Sequence, residues 1–185
     1  MKVRNPFGII LLILLLTGCS LDYREAILEE ELAENIPEMV LVNFRHVVVK
    51  NGVKAAMVEA ERAEDYSKKH EIMIRDVHFI EYSMDGSIVN EGWADRALYN
   101  EDTGDAVIEG DIFVKSNKQK GNIIAEKLYW KDKERELKGD PEEEVVMKKE
   151  DGSFVRGRGF IADFNTKSFR FLKDVSGRYE GKSNE

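Results

Sequence analysis

Residues 92–114, GWADRALYNEDTGDAVIEGDIFV, constrain the fold more than any other stretch of the chain. In the second half, Ala106, Ile108, Gly110, Ile112 and Val114 fall on one face, with Glu109 and Asp111 on the other. Successive side chains of a strand point to opposite faces, so a period of two marks a half-buried β-strand. Residues 93–99 form a second strand, and Asn100-Glu101-Asp102-Thr103-Gly104-Asp105 is a turn in which Gly104 can take positive φ. The unit is a hairpin. Its small-then-aromatic step, Ala94…Tyr99, returns as Ala125…Trp130 and Gly159…Phe164, with Ala63…Tyr66 as a shortened copy upstream. The anchors Tyr66, Tyr99, Trp130 and Phe164 lie 33, 31 and 34 residues apart, a spacing typical of stacked supersecondary units.

The other strands follow from the same reading, which is all-β. Residues 39–50 are a valine-rich strand, and Asn51-Gly52 is a strong hairpin-turn signal. Residues 53–62 continue extended, with Ala56, Val58 and Ala60 on one face. Ile72 and Ile74 are out of phase with Val77 and Phe79, so a bulge or corner is expected at Arg75-Asp76. Met84-Asp85-Gly86 turns the chain into the central hairpin. After a polar loop over 115–121 come strands at 123–130 and 136–139, then a loop at 140–144, where proline and three acids disfavour a sheet interior. A strand resumes at 145–147, Asp151-Gly152 turns it, and Gly157-Arg158-Gly159 bends the next. Phe169, Phe171 and Val175 share a face of a last strand. The β-domain spans 38–177, and 178–185 form a polar, frayed tail.

The chain has 185 residues, 35% charged and 42% hydrophobic, which suits one globular domain plus a short added segment. A net charge of −8 argues against nucleic acid as a partner, since phosphate recognition needs a basic stripe. Cys19 is the one cysteine, so no intrachain disulfide is expected. Lys2 and Arg4 precede an apolar run over 7–16, the layout of a secretory signal. That run falls well short of the about 20 residues that span a bilayer. It ends in Leu16-Thr17-Gly18-Cys19, which resembles the lipobox of bacterial lipoproteins. The resemblance implies removal of residues 1–18 and attachment to a membrane through acyl chains on Cys19. Ser20, next in line, tends in enteric bacteria to permit release to the outer membrane. Over 20–36, Leu21, Leu28, Leu32 and Ile36 fall near one stripe before Pro37, so residues 19–37 are expected to be the lipidated N-terminus and a short helical tether.

Catalytic chemistry has no clear carrier. His46, His70 and His78 are far apart, without metal-ligand spacing, so neither a metal nor a cofactor is expected. No phosphate loop, nucleophile elbow or paired-carboxylate motif emerges, and nothing argues for an enzyme. What stands out is a set of aliphatic strand faces: Val58, Ala60, Ile72, Ile74, Ala106, Ile108, Ile112, Val114, Ile124, Leu128, Phe169 and Phe171. Read from the residues alone, they form a filled core, as in a structural or surface lipoprotein with a closed β-sandwich.

Over residues 37–177 the chain resembles the LptC family, the periplasmic C component of the lipopolysaccharide-transport bridge. The resemblance rests on Asn51-Gly52 leading into an alanine-spaced strand, on Ala94-Asp95-Arg96-Ala97, on Ile108-x-Gly110-x-Ile112-x-Val114, and on Gly157-x-Gly159. It implies an open β-jelly roll of stacked antiparallel hairpins, in which the aliphatic faces line a groove for acyl chains. The implied cargo is lipopolysaccharide or a similar glycolipid, taken from an inner-membrane ABC transporter. Partners are implied at the free strand edges: the transporter permeases near Val42, Phe44 and Gly52, and the A component of the bridge near Phe171 and Val175. The implied location is periplasmic, with function pointing to an inner-membrane anchor. Many family members hold an uncleaved transmembrane helix where this chain has its lipobox.

Overall fold

The computed structural model describes residues 34–180. The expected signal peptide, Cys19 and all but the last residues of the expected 20–36 helix lie outside it. The described strands are β1 (Met39–Lys50), β2 (Val53–Tyr66), β3 (Glu71–Tyr82), β4 (Ile88–Asn100), β5 (Ala106–Ser116), β6 (Gly121–Lys131), β7 (Glu136–Gly139), β8 (Glu144–Lys149), β9 (Phe154–Arg158), β10 (Ile161–Asp163), β11 (Ser168–Arg170) and β12 (Lys173–Arg178). They form one antiparallel sheet that does not close on itself. β1 to β6 pair in chain order as a meander. Beyond them β7 and β8 both pair with β6, β9 with β8, and β10 with β7, while β12 and β11 pair with β9 and β10. Each of these three pairs therefore acts as one long strand interrupted midway.

That interruption belongs to a bend line running across the whole sheet. Between β1 and β2, pairing passes from Val42↔Arg62 to Phe44↔Ala60 and skips Asn43 and Glu61. The next ladders skip Glu61 and Asp76, then Asp76 and Asp95. Between β5 and β6 the register runs from Glu109↔Lys127 to Ile112↔Ala125, so Gly110 and Asp111 oppose Glu126 alone, a β-bulge. Asn43, Asp76, Gly110 and Asp111 all have positive φ, a conformation that Asn, Asp and Gly tolerate best. The corner expected at Arg75-Asp76 is thus one member of a series.

At the bend each strand turns two consecutive residues outward, so that both flanking residues face in. In β2 these flanks are Ala60 and Ala63, in β4 Ala94 and Ala97, and in β6 Ala125 and Leu128. The sequence AERA, ADRA, AEKL at 60, 94 and 125 is the repeat unit. The first copy consequently starts at Ala60, not Ala63, and Tyr66 is one residue out of register: Asp65 aligns with Ile72 and Tyr99. Tyr99 and Trp130 do share a row, both paired with Ala106, and Phe164 packs edge-on against Trp130 at 5.5 Å.

The two half-sheets close on each other around Ile112, Ala125, Leu128, Val145 and Phe160. Phe160 and Val145 are fully buried, and each large side chain sequestered this way stabilises the fold by about 1.5–3 kcal/mol. The polar tail is ordered further than expected. Arg178 ends β12, and the Glu180 backbone N–H donates to Ser153 Oγ at 2.9 Å. The final strand is split, because the chain bends at Phe171–Leu172 and β11 and β12 lie on opposite sides.

Candidate lipid-binding interior and sheet edges

The interior is built from four cross-strand rows, two on each side of the bend. Nearest the bend on one side, Leu41, Ala63, Ile74, Ala97, Ile108 and Leu128 are paired in sequence. Across the bend, Phe44, Ala60, Val77 and Ala94 form the matching row, continued by Ile112 and Ala125. Further out lie a row with Ile72 and Ala106 and another with Val58, Phe79 and Val114. Most of the expected interior residues therefore do converge: Val58, Ala60, Ile72, Ile74, Ile108, Ile112, Val114 and Leu128.

Ile124 does not. It pairs with Phe113 and Val146 on the outer face and is 37% exposed. Ile124 and Leu128 share parity, but the bend at Glu126 lies between them and reverses the face. Ile112 and Leu128 face inward yet sit inside the filled cluster, at 2% and 1% exposure. Along β1–β3 the interior is less covered: Phe44, Val58, Ile72, Ile74 and Val77 remain half-buried, and Leu41 is exposed. The Phe171 ring packs at a tilt against Phe160, with centroids 5.3 Å apart, while Phe169 is exposed at the far edge. Phe160 and Val145 escaped the sequence reading; the repeat of paired inward positions around a bend would have pointed to them.

Outside the bend run two charged rails. Glu61, Asp76, Asp95, Asp111 and Glu126 are all exposed. Beside them Arg62, Arg75 and Arg96 oppose one another directly across β2, β3 and β4. Like charges so placed repel, and buried Glu64 offsets them. Its Oε1 accepts from Arg62 Nε at 2.8 Å, and its Oε2 lies 3.5 Å from the Arg75 guanidinium, an electrostatic contact without a hydrogen bond. The Arg62 hydrogen bond chiefly, then the Arg62 and Arg75 charges, hold the Glu64 carboxyl below its ordinary 4.5. Glu109 is lowered likewise, by Lys127 first and Arg96 next. Gly110 is fixed by the same crowding, because a Cβ there would overlap the Asp95 carboxylate. On the outer face, His78 stacks on Trp93 at 4.9 Å and lies 2.9 Å from Glu91.

Both sheet edges are unpaired within the described chain. β1 pairs on one side only, and Val42, Val47 and Val49 are exposed along it. Phe44, on the same strand, faces inward against Ala60. Asn51 and Gly52 both take positive φ in the two-residue turn that ends β1, as a tight hairpin requires. At the other edge, Val175 and Leu172 are exposed. Among the described residues, no group of three or more His, Cys, Asp or Glu is placed to hold a metal ion, and no helix is long and apolar enough to cross a membrane.

An antiparallel sheet of 12 strands that stays open, bent along one line, with an aliphatic interior and free edge strands, makes this an all-β protein of the open-sheet class. Compared with known families, residues 8–180 match LptC, described as lipopolysaccharide-assembly, LptC-related, and the chain belongs to this family. The family is a non-catalytic component of lipopolysaccharide transport, which suggests a periplasmic, membrane-associated protein. No curated protein matches the chain.

Proposed function

We propose that this protein takes lipopolysaccharide, or a comparable glycolipid, from an inner-membrane ABC transporter and passes it along a β-jelly-roll bridge. Acyl chains lie between the half-sheets while the head group stays in water. The observation that carries this reading is the row of inward apolar side chains on both sides of the bend in β1–β3, of which Phe44, Val58, Ile72, Ile74 and Val77 are only half-buried. The chains enter there, and the cluster around Phe160 parts as they advance. The β1 edge, with Val42, Phe44 and Gly52 at or beside it, adds to a strand of the transporter permeases. The β11–β12 edge, with Phe171 and Val175, adds to an A-component-like protein. A lipidated Cys19 holds the domain at the membrane, and energy comes from the transporter.

Purification of the lipoprotein from membranes, with its lipids and proteins identified, tests this directly. Co-purification of lipopolysaccharide and transporter permeases is expected. Recovery with neither would leave a structural lipoprotein, a role that the filled cluster around Phe160 favours. Replacing Cys19 with serine is expected to end fatty-acid labelling and release the domain, and persistent labelling would refute the anchor.

A further inference from the structure

Neither the acyl path nor the strand edges use the aromatic anchors of the sequence repeat. Tyr99 and Trp130 both pair with Ala106, one from β4 and one from β6, in the outlying inward row that also holds Ile72 and Leu137. Their backbones are thus two strand spacings apart, about 10 Å, with only the Ala106 methyl group on the strand between. A ligand stacked between two side chains takes about 4 Å on each side, so the two rings bound a slot one ring thick. Gly104 extends its floor, because a Cβ there would lie 3.1 Å from the Asp132 side chain.

One wall is held in place. Trp130 Nε1–H donates to Asp132 Oδ1 at 3.2 Å, the Arg135 guanidinium lies 4.7 Å from the indole centre, and Phe164 meets the indole edge-on at 5.5 Å. The Tyr99 side chain, 37% exposed, makes no hydrogen bond, ion pair or ring contact with another described residue. Asp132 Oδ2, 3.3 Å from the same Cβ position on Gly104, has no hydrogen-bond partner among the described residues. The charges beside the slot cancel in pairs, Lys131 with Asp105 at 2.7 Å and Arg135 with Asp132 at 3.3 Å.

An exposed tyrosine across a small floor from a fixed indole, with unbonded oxygens between them, suits an uncharged sugar ring. The C–H face of a sugar packs on an electron-rich aromatic face, and its hydroxyls donate to a carboxylate. An acyl chain would leave Asp132 Oδ2 and the Tyr99 hydroxyl unmet. A phosphate would meet the Asp132 carboxylate, and a cationic group would meet Arg135 and Lys131. We propose that Tyr99, Ala106, Trp130 and Asp132 form a saccharide subsite at the lip of the interior, which takes an uncharged sugar of the glycolipid head group. The subsite deepens the proposed transport role and rests on it for the identity of the cargo, while its affinity for sugar is measurable alone.

Saturation-transfer NMR on the full-length protein, in a detergent without sugar, tests the proposal. The probe is the oligosaccharide released from lipopolysaccharide, used both dephosphorylated and with its phosphates. Saturable binding of the dephosphorylated form is expected. Tyr99→Ala should weaken it about five- to tenfold, and Ala106→Leu, which fills the slot, should abolish it. Tyr99 has no partner to lose, so its variant gives a reading even where Ala106→Leu disturbs folding. Trp93→Ala, on the outer face of the same strand as Tyr99, should leave binding unchanged. No saturable binding, binding undiminished in Tyr99→Ala, or binding of the phosphorylated form alone would overturn the subsite. Lipid crosslinking at inward Ile74 is read separately. Adducts without sugar binding would remove the subsite and keep the transport role; sugar binding without adducts would keep the subsite and remove the acyl path.

Discussion

Two single residues control the bend. Gly110 combines positive φ with the closeness of the Asp95 carboxylate. Gly110→Ala is expected to cost about 1–3 kcal/mol, and adding Asp95→Ala should recover the steric part but not the backbone part. Chemical denaturation of both variants checks this, and full recovery in the double variant would remove the backbone argument. Glu64, beside the bend, offsets the charges of the opposed Arg62 and Arg75 guanidinium groups. Its folded-state pKa and that of Glu109 lie below the ordinary 4.5, so the stability they contribute is present above that value. It is lost as pH falls through the lowered values. Thermal stability should therefore decline as pH drops below 4.5. Glu64→Gln should flatten part of that decline and lower stability at neutral pH by about 1–3 kcal/mol.

Among the elements, the strands and turns were largely legible, because alternation and turn residues are local signals. The corner in β3 was legible too, since Ile72 and Ile74 fall out of phase with Val77 and Phe79. In β5 the same corner is hidden. The extra residue at Gly110–Asp111 restores the phase, so 106–114 read as one unbroken alternation while the strand bends in its middle. Ile124 was misplaced for the converse reason, as β6 has no compensating residue at Glu126. Which inward side chains fill the core is a matter of distance between half-sheets, which alternation cannot report. The structure puts Ile112 and Phe160 in the filled part. Phe160→Ala should cost about 3–5 kcal/mol, and Ile112→Arg should unfold the domain. A cooperatively folded Ile112→Arg protein would mean that the half-sheets part easily even there.

Across the whole molecule, the open sheet leaves two edges and a partly covered interior, in a chain that belongs to a lipopolysaccharide-transport family. Val42 and Val47 are exposed on the β1 edge, where lysine blunts strand addition. Val42→Lys with Val47→Lys should change stability by no more than about 0.5 kcal/mol per site and sharply reduce recovery of transporter permeases. Unchanged recovery would move the permease contact away from β1. Passage of acyl chains between the half-sheets is tested most directly by photo-crosslinking in cells that are exporting lipopolysaccharide. Probes replace inward Val58, Ile72 and Ile74 and outward Arg75 and Glu59. Lipopolysaccharide adducts are expected at the three inward positions and not at the outward two; adducts absent from the inward positions, or equal on both faces, would contradict a lipid path through the interior.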